Sequence, residues 1–302
     1  MSQTPQNITH DELRQTGLST SDIDTRIRRG TLMRLRRGVY SAPEARTPEE
    51  QHRHLIHAST TVVTDSNVVS HVSAGVLHGL PVPRHQLELV TMTRLTSGHG
   101  EHSERMRVRH TALAADEVTT LEGLRVTTLA RTVFDLARSL PFEWGVMACD
   151  DALRQGLNPA VLHMAARRHP RLRGAPRARR VIAFGNPLSE SAAESLSRVQ
   201  IARAGLPAPE LQFELFDSDG VFVSRSDFAW PELHLVGEVD GKAKYGSLLR
   251  PGQEPADAIM AEKRREESIR QQGFWVVRWD WETAWNEHEL ASLIRRAMQW
   301  RR

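Results

Sequence analysis

The stretch from Phe222 to Lys242 limits the possible folds more than any other part of the chain. Phe222, Val223, Phe228 and Trp230 belong to one apolar run, and Leu233, Leu235, Val236 and Val239 to a second, with Pro231-Glu232 between them. Two apolar runs about a short turn predict paired strands. Asp227 lies in the first run, Glu238 and Asp240 in the second, and Lys242 just beyond. Side chains alternate along a strand, so Glu238, Asp240 and Lys242 are expected on one face. Pairing across the Pro turn would bring Asp227 alongside Glu238. Carboxylates gathered at a strand end suit a hard divalent cation. Such a cation activates water and steadies the charge of a reacting phosphodiester. Structural ion pairs gather carboxylates too, so solvated acids with a buried salt bridge remain an alternative.

The 302 residues suffice for two or three domains, and 39% hydrophobic with 25% charged residues is an ordinary globular balance. The formal charge is only +3, but the arginines cluster. Arg26 to Arg37 holds six arginines and no acid; Arg167 to Arg180 holds seven and no acid. Such runs fit a polyanion surface, or an Arg-rich solvated face. The lone cysteine, Cys149, excludes a disulfide within the chain and a thiolate zinc site. No apolar run reaches the length of a membrane span, and Met1 to Thr9 carries no signal-peptide pattern, so a cytosolic protein is expected.

Thr9 with Glu12 three residues later predicts a capped helix ended by Gly17-Leu18. Ser19 or Ser21 caps a second helix that stops at Gly30. Leu32, Leu35, Val39 and Tyr40 then read as a ribbon with arginines between. Helix, tight turn, helix and ribbon describe a winged helix-turn-helix over residues 1–46. The N-terminal part of its second helix is expected in the major groove of double-stranded DNA. Arg26, Arg28, Arg29, Arg34, Arg36 and Arg37 are the expected DNA contacts. A small helical cap on the next domain is the alternative. Residues 47–185 read as a mixed α/β middle domain with a basic linker. Val68 to His78 is read there as a helix, and Leu87 to Val90 and Met106 to His110 as strands. The histidines lack metal spacing: His71 and His78 are seven apart, and His52, His54 and His57 form no tight motif.

Residues 186–302 read as helix, three strands, helix, strand, helix. An acid lies on the first helix, Asp227-Phe228 ends the second strand, and Glu238-Val239-Asp240-Gly241 is on the third. Lys263-Arg264-Arg265 lies on the next helix, and Gly273-Phe274-Trp275-Val276-Val277-Arg278 on the last strand. This ordered set resembles the PD-(D/E)xK nuclease superfamily, closest to its Vsr-like domains, over roughly the last 115 residues. The resemblance implies a restriction-endonuclease-like αβββαβα fold and Mg²⁺ or Mn²⁺. By it, Asp227, Glu238 and Asp240 would hold the metal and Glu194 would orient the site. Lys242 or Lys263 would hold the nucleophilic water or the phosphate. One residue departs: Asp240 stands where the superfamily usually carries Lys. Thr31 to Tyr40 resembles the AbiEi-type antitoxin winged helix, which implies operator binding, autorepression and a cognate toxin.

Two functions follow: a Mg²⁺-dependent DNA endonuclease, or an antitoxin-type autorepressor whose nuclease-like domain is inactive. No phosphate-cradling glycine loop or dinucleotide fingerprint supports an enzyme of another class.

Overall fold

Two capping boxes set the N-terminal helices of this computed structural model, which describes residues 7–43, 47–60, 66–95, 101–103, 105–240 and 255–299. After β1 (Ile8–Thr9), the Thr9 hydroxyl accepts the Glu12 N–H at 3.2 Å, and the Glu12 carboxylate accepts the Thr9 N–H at 2.7 Å. This starts α1 (His10–Gln15). Ser19 and Asp22 repeat the device for α2 (Thr20–Arg28), so the cap is Ser19 and not Ser21. Each box satisfies helix N–H groups that would otherwise lack partners. β2 (Met33–Arg36) and β3 (Val39–Ser41) form the ribbon, and β3 pairs with both β1 and β2. Its turn needs Gly38, at φ +77°. Leu13, Ile23, Leu32 and Tyr40 close a small core. The ribbon is also anchored outward: Leu35 and Val39 pack on Ala58 of α3 (Pro48–Thr60).

The middle segment is a six-stranded sheet with helices. It holds β4 (Asn67–Val69), α4 (His71–Leu77), β5 (Val90–Arg94), β6 (Glu101–Ser103), β7 (Met106–His110), β8 (Val118–Leu121) and β9 (Leu124–Thr127). The strand order is β6-β7-β5-β4-β9-β8, with β5 parallel to β7 and β4 parallel to β9. Val68 and Val69, expected in a helix, lie in β4, because a fully buried strand is apolar on both faces. The strand expected at Leu87 to Val90 begins only at Val90, where its N–H reaches the Arg105 carbonyl. Then come α5 (Leu129–Ser139), α6 (Phe142–Arg154), α7 (Pro159–Arg168) and α8 (Ala175–Phe184). The helix α8 takes up part of the stretch expected as a basic linker.

The chain divides after Phe184 into two compact units. The second contains α9 (Ala192–Arg203), β10 (Glu210–Phe216), β11 (Phe222–Trp230), β12 (Leu235–Asp240), α10 (Pro255–Gln271), β13 (Trp275–Asp280), α11 (Trp281–Trp285) and α12 (Glu287–Gln299). Its sheet order is β10-β11-β12-β13; the first two pairs are antiparallel and β12 runs parallel to β13. Gly237 is required here: a Cβ would lie 2.7 Å from the Trp279 ring. The fold is mixed α/β. Among the described residues, no helix is long and apolar enough to cross a membrane.

Candidate nucleic-acid interface and carboxylate site

Arg26 and Arg28 lie at the C-terminal end of α2, with Arg29 just beyond, and Arg34 and Arg37 on the ribbon; all five are exposed. The N-terminal part of α2 exposes Thr20, Ser21 and Asp24. Arg36 behaves differently. Its Nη1 donates to the Ser59 carbonyl at 3.4 Å, and its shielded Nε has no hydrogen-bond partner among the described residues. Burial lowers its pKa. Arg36, half-buried, therefore ties the ribbon to α3 and is less exposed than the other five. Regular alternation would put Arg34 and Arg36 on one face; a register shift against β3 falls between them and separates their surroundings.

The carboxylates of the second unit are placed differently from expectation. The β11–β12 ladder ends at the pair Phe228–Gly237, so Asp227 and Glu238 are not ladder partners. Asp227 Oδ2 instead accepts the Val239 N–H at 2.9 Å, replacing a backbone acceptor. The β10–β11 ladder likewise has no pair at Gln212 and Asp227, and Gln212 is left-handed at φ +51°. This irregularity turns the strand: Ser226 Oγ reaches Glu238, whereas Phe228 packs on Trp279.

Both oxygens of Glu238 are taken. Arg265 donates to them at 2.6 and 2.7 Å, and Arg278 Nε donates to Oε2 at 3.0 Å. Glu262 and Glu266 complete the network with the same two arginines. Burial alone would raise the Glu238 pKa; Arg265 and then Arg278 outweigh it and hold the carboxyl below its ordinary range. Glu194 is different again. Gln212 Nε2 and the Glu190 N–H donate to its Oε2 at 2.9 and 2.8 Å, and Ser191 Oγ donates to Oε1 at 2.7 Å. Its pKa is raised, first by burial and next by the charge of Asp227. Asp227 thus lies close enough to Glu194 to act on it electrostatically.

Among the described residues, no group of three His, Cys, Asp or Glu side chains is placed to hold a metal ion. Asp227, Glu238 and Asp240 were expected to share one. A carboxylate clamped by two guanidinium groups offers no lone pair to a cation without breaking charge-assisted bonds. Lys242 lies outside the described residues, and Lys263 is exposed on α10. Among the described residues, this arrangement does not fit a Mg²⁺ or Mn²⁺ ion. Arg265 and Arg278 went unnoticed as partners because they lie 27 and 40 residues from Glu238 in sequence.

A second ion network lies in the middle segment. Asp135, fully buried on α5, accepts from Arg131 Nε at 2.9 Å and Arg138 Nε at 2.7 Å. Arg131 also donates to Glu117 at 2.8 Å and to the Ala112 carbonyl at 2.8 Å. His169 lies 2.7 Å from Glu117, and Arg138 Nη2 lies 3.0 Å from His71 Nε2. The network ties the β7–β8 connection, the start of α4 and the end of α7 to α5.

Residues 67–184 match the family model of the AbiEi antitoxin C-terminal domain. The match covers the six-stranded sheet and α5 to α8, not the Thr31 to Tyr40 stretch that carried the resemblance. In this chain a further unit follows the AbiEi-type domain. Two relatives from Mycobacterium tuberculosis, "Uncharacterized protein MT2308" (strain CDC 1551 / Oshkosh) and "Uncharacterized protein Rv2248" (strain ATCC 25618 / H37Rv), are each 27% identical over 271 residues. The alignment covers 86% of this chain and 89% of each relative. The crystal structure of the RV2827C protein from the same species aligns at TM-score 0.40 and 13% identity, over 70% of this chain and 84% of that one.

Proposed function

We propose that the chain is a DNA-binding regulator of the AbiEi antitoxin type, which represses transcription from its own promoter and pairs with a cognate toxin. One observation carries the reading: a helix-turn-helix with five exposed arginines is packed, through Leu35 and Val39, on the helix that leads into the AbiEi-type domain. The arginines of α2 and the ribbon would contact phosphates, and Thr20, Ser21 and Asp24 would face base edges. The AbiEi-type domain would supply the surface for the toxin. The test is binding to duplex DNA from upstream of the chain's own gene, set against a scrambled duplex.

A second reading, a metal-dependent DNA endonuclease in the second unit, is favoured by the proximity of Glu194 and Asp227. The clamp of Arg265 and Arg278 on Glu238 weighs against it. Supercoiled plasmid incubated with the full chain and Mg²⁺ or Mn²⁺ is expected to stay intact. Nicking that disappears in Asp227→Ala would replace the regulator-only reading with one in which the chain both binds and cuts.

A further inference from the structure

Beyond DNA and a toxin, the first unit contains a cleft of about 340 Å³, lined by His71, His85, Glu88, Thr91, Arg107 and Arg109 among others. Its floor comes from two neighbouring parallel strands. Arg107 and Arg109 are two residues apart on β7 and so share a face of the sheet, in register with Thr91 and Thr93 of β5. Arg107 is exposed and Arg109 half-buried.

Among the described residues, the charge in this cleft is poorly compensated. Arg109 Nε is shielded from solvent and, among the described residues, has no hydrogen-bond partner. Asp135, whose charge acts on Arg109, already holds both Arg131 and Arg138. Burial lowers the Arg109 pKa, and the positive charges of Arg107 and Arg138 lower it further. A shielded guanidinium N–H without an acceptor is costly, and native proteins rarely keep one without a reason. His71 adds no charge. Burial takes its pKa to about 3, and it stands in a left-handed conformation at φ +52° at the cleft wall. Non-glycine strain of this kind concentrates at ligand clamps. Among the described residues lining the cleft, one is an acid, the exposed Glu88.

We infer that this cleft binds a small phosphate monoester carrying hydroxyl groups. Two guanidinium forks match the charge and the oxygens of a phosphate dianion. The volume exceeds what inorganic phosphate fills and sits at the small end of ligand pockets. Hydroxyls on the remainder of the ligand would donate to Glu88, which would otherwise repel the anion. A concave cleft floored by the half-buried Arg109 suits a small ligand better than the backbone of a duplex.

The test is calorimetric titration of the full chain with inorganic phosphate, ribose 5-phosphate and ribose, in chloride buffer at fixed ionic strength. Ribose 5-phosphate is expected to bind more tightly than inorganic phosphate, and ribose not at all. Arg109→Gln should weaken ribose 5-phosphate by about tenfold or more, the loss of one charge-assisted fork. Arg107→Gln should weaken it similarly, and its exposed side chain makes that variant safe for the fold. Glu88→Gln should erase the preference for ribose 5-phosphate over inorganic phosphate. Absence of heat for both phosphates at about 10 mM, weaker than a useful affinity, overturns the proposal. Equal binding to wild type and both arginine variants overturns it too. So does a loss of duplex DNA binding in Arg107→Gln with no effect on ribose 5-phosphate, because the cleft would then belong to the DNA surface.

Discussion

Asp135→Ala is expected to lower the melting temperature of the full chain by about 10 °C. Asp135 is fully buried and holds two arginines that are themselves almost fully buried. Its removal leaves Arg131 and Arg138 facing a cavity with one acceptor fewer each. Breaking a buried pair from one side costs about 3–5 kcal/mol, much of it the penalty of the uncompensated charge. For a domain of this size each kcal/mol moves the melting point by about 2–4 °C. Asp135→Asn keeps an acceptor and the volume, so its loss should be about half as large. Differential scanning calorimetry of the three proteins measures this. A shift below about 3 °C for Asp135→Ala would mean that the network adjusts without Asp135.

Arg34→Ala combined with Arg37→Ala is expected to weaken duplex DNA binding on the order of a hundredfold at physiological salt, since each contact to a charged phosphate contributes about 1.5 kcal/mol or more. Both side chains are exposed on the ribbon, so the variant should keep its melting temperature. Two lost phosphate contacts should also flatten the plot of log K against log salt by about 1.8. Arg36→Ala separates a docking role from a contact role. Arg36 bonds to the Ser59 carbonyl, so its loss should lower stability and leave the salt slope unchanged. Fluorescence anisotropy over a salt series gives both quantities. An unchanged slope in the double variant would remove the ribbon from the interface.

Some of this was legible in residue order and some was not. The helix starts at Thr9 and Ser19 were readable because a capping box is local: the side chain and its N–H lie three residues apart. The strands β10 to β13 were readable because apolar runs and turn residues alternate cleanly there. The helix α8 was hidden by Gly174 and Pro176, which mark its start and not a break. The strand β4 was hidden because a short apolar run does not by itself separate strand from helix. The strands β8 and β9 carried no run long enough to be noticed. At the carboxylates, residue types were legible but partners were not. Alternation put Glu238 and Asp240 on one face, yet the turn of β11 at Asp227 depends on a left-handed Gln212. The clamp on Glu238 depends on arginines from α10 and β13. The same blindness affects the basic runs: Arg36 and Arg37 are adjacent letters, and one packs on α3 while the other faces solvent.

The most direct test is a titration of the wild-type chain against duplex DNA from upstream of its own gene and against a scrambled duplex of equal length, at physiological salt. The account predicts that the upstream duplex binds about a thousandfold tighter or more, the usual margin of a specific DNA reader. Equal affinity for the two duplexes, or no binding to either, would contradict it.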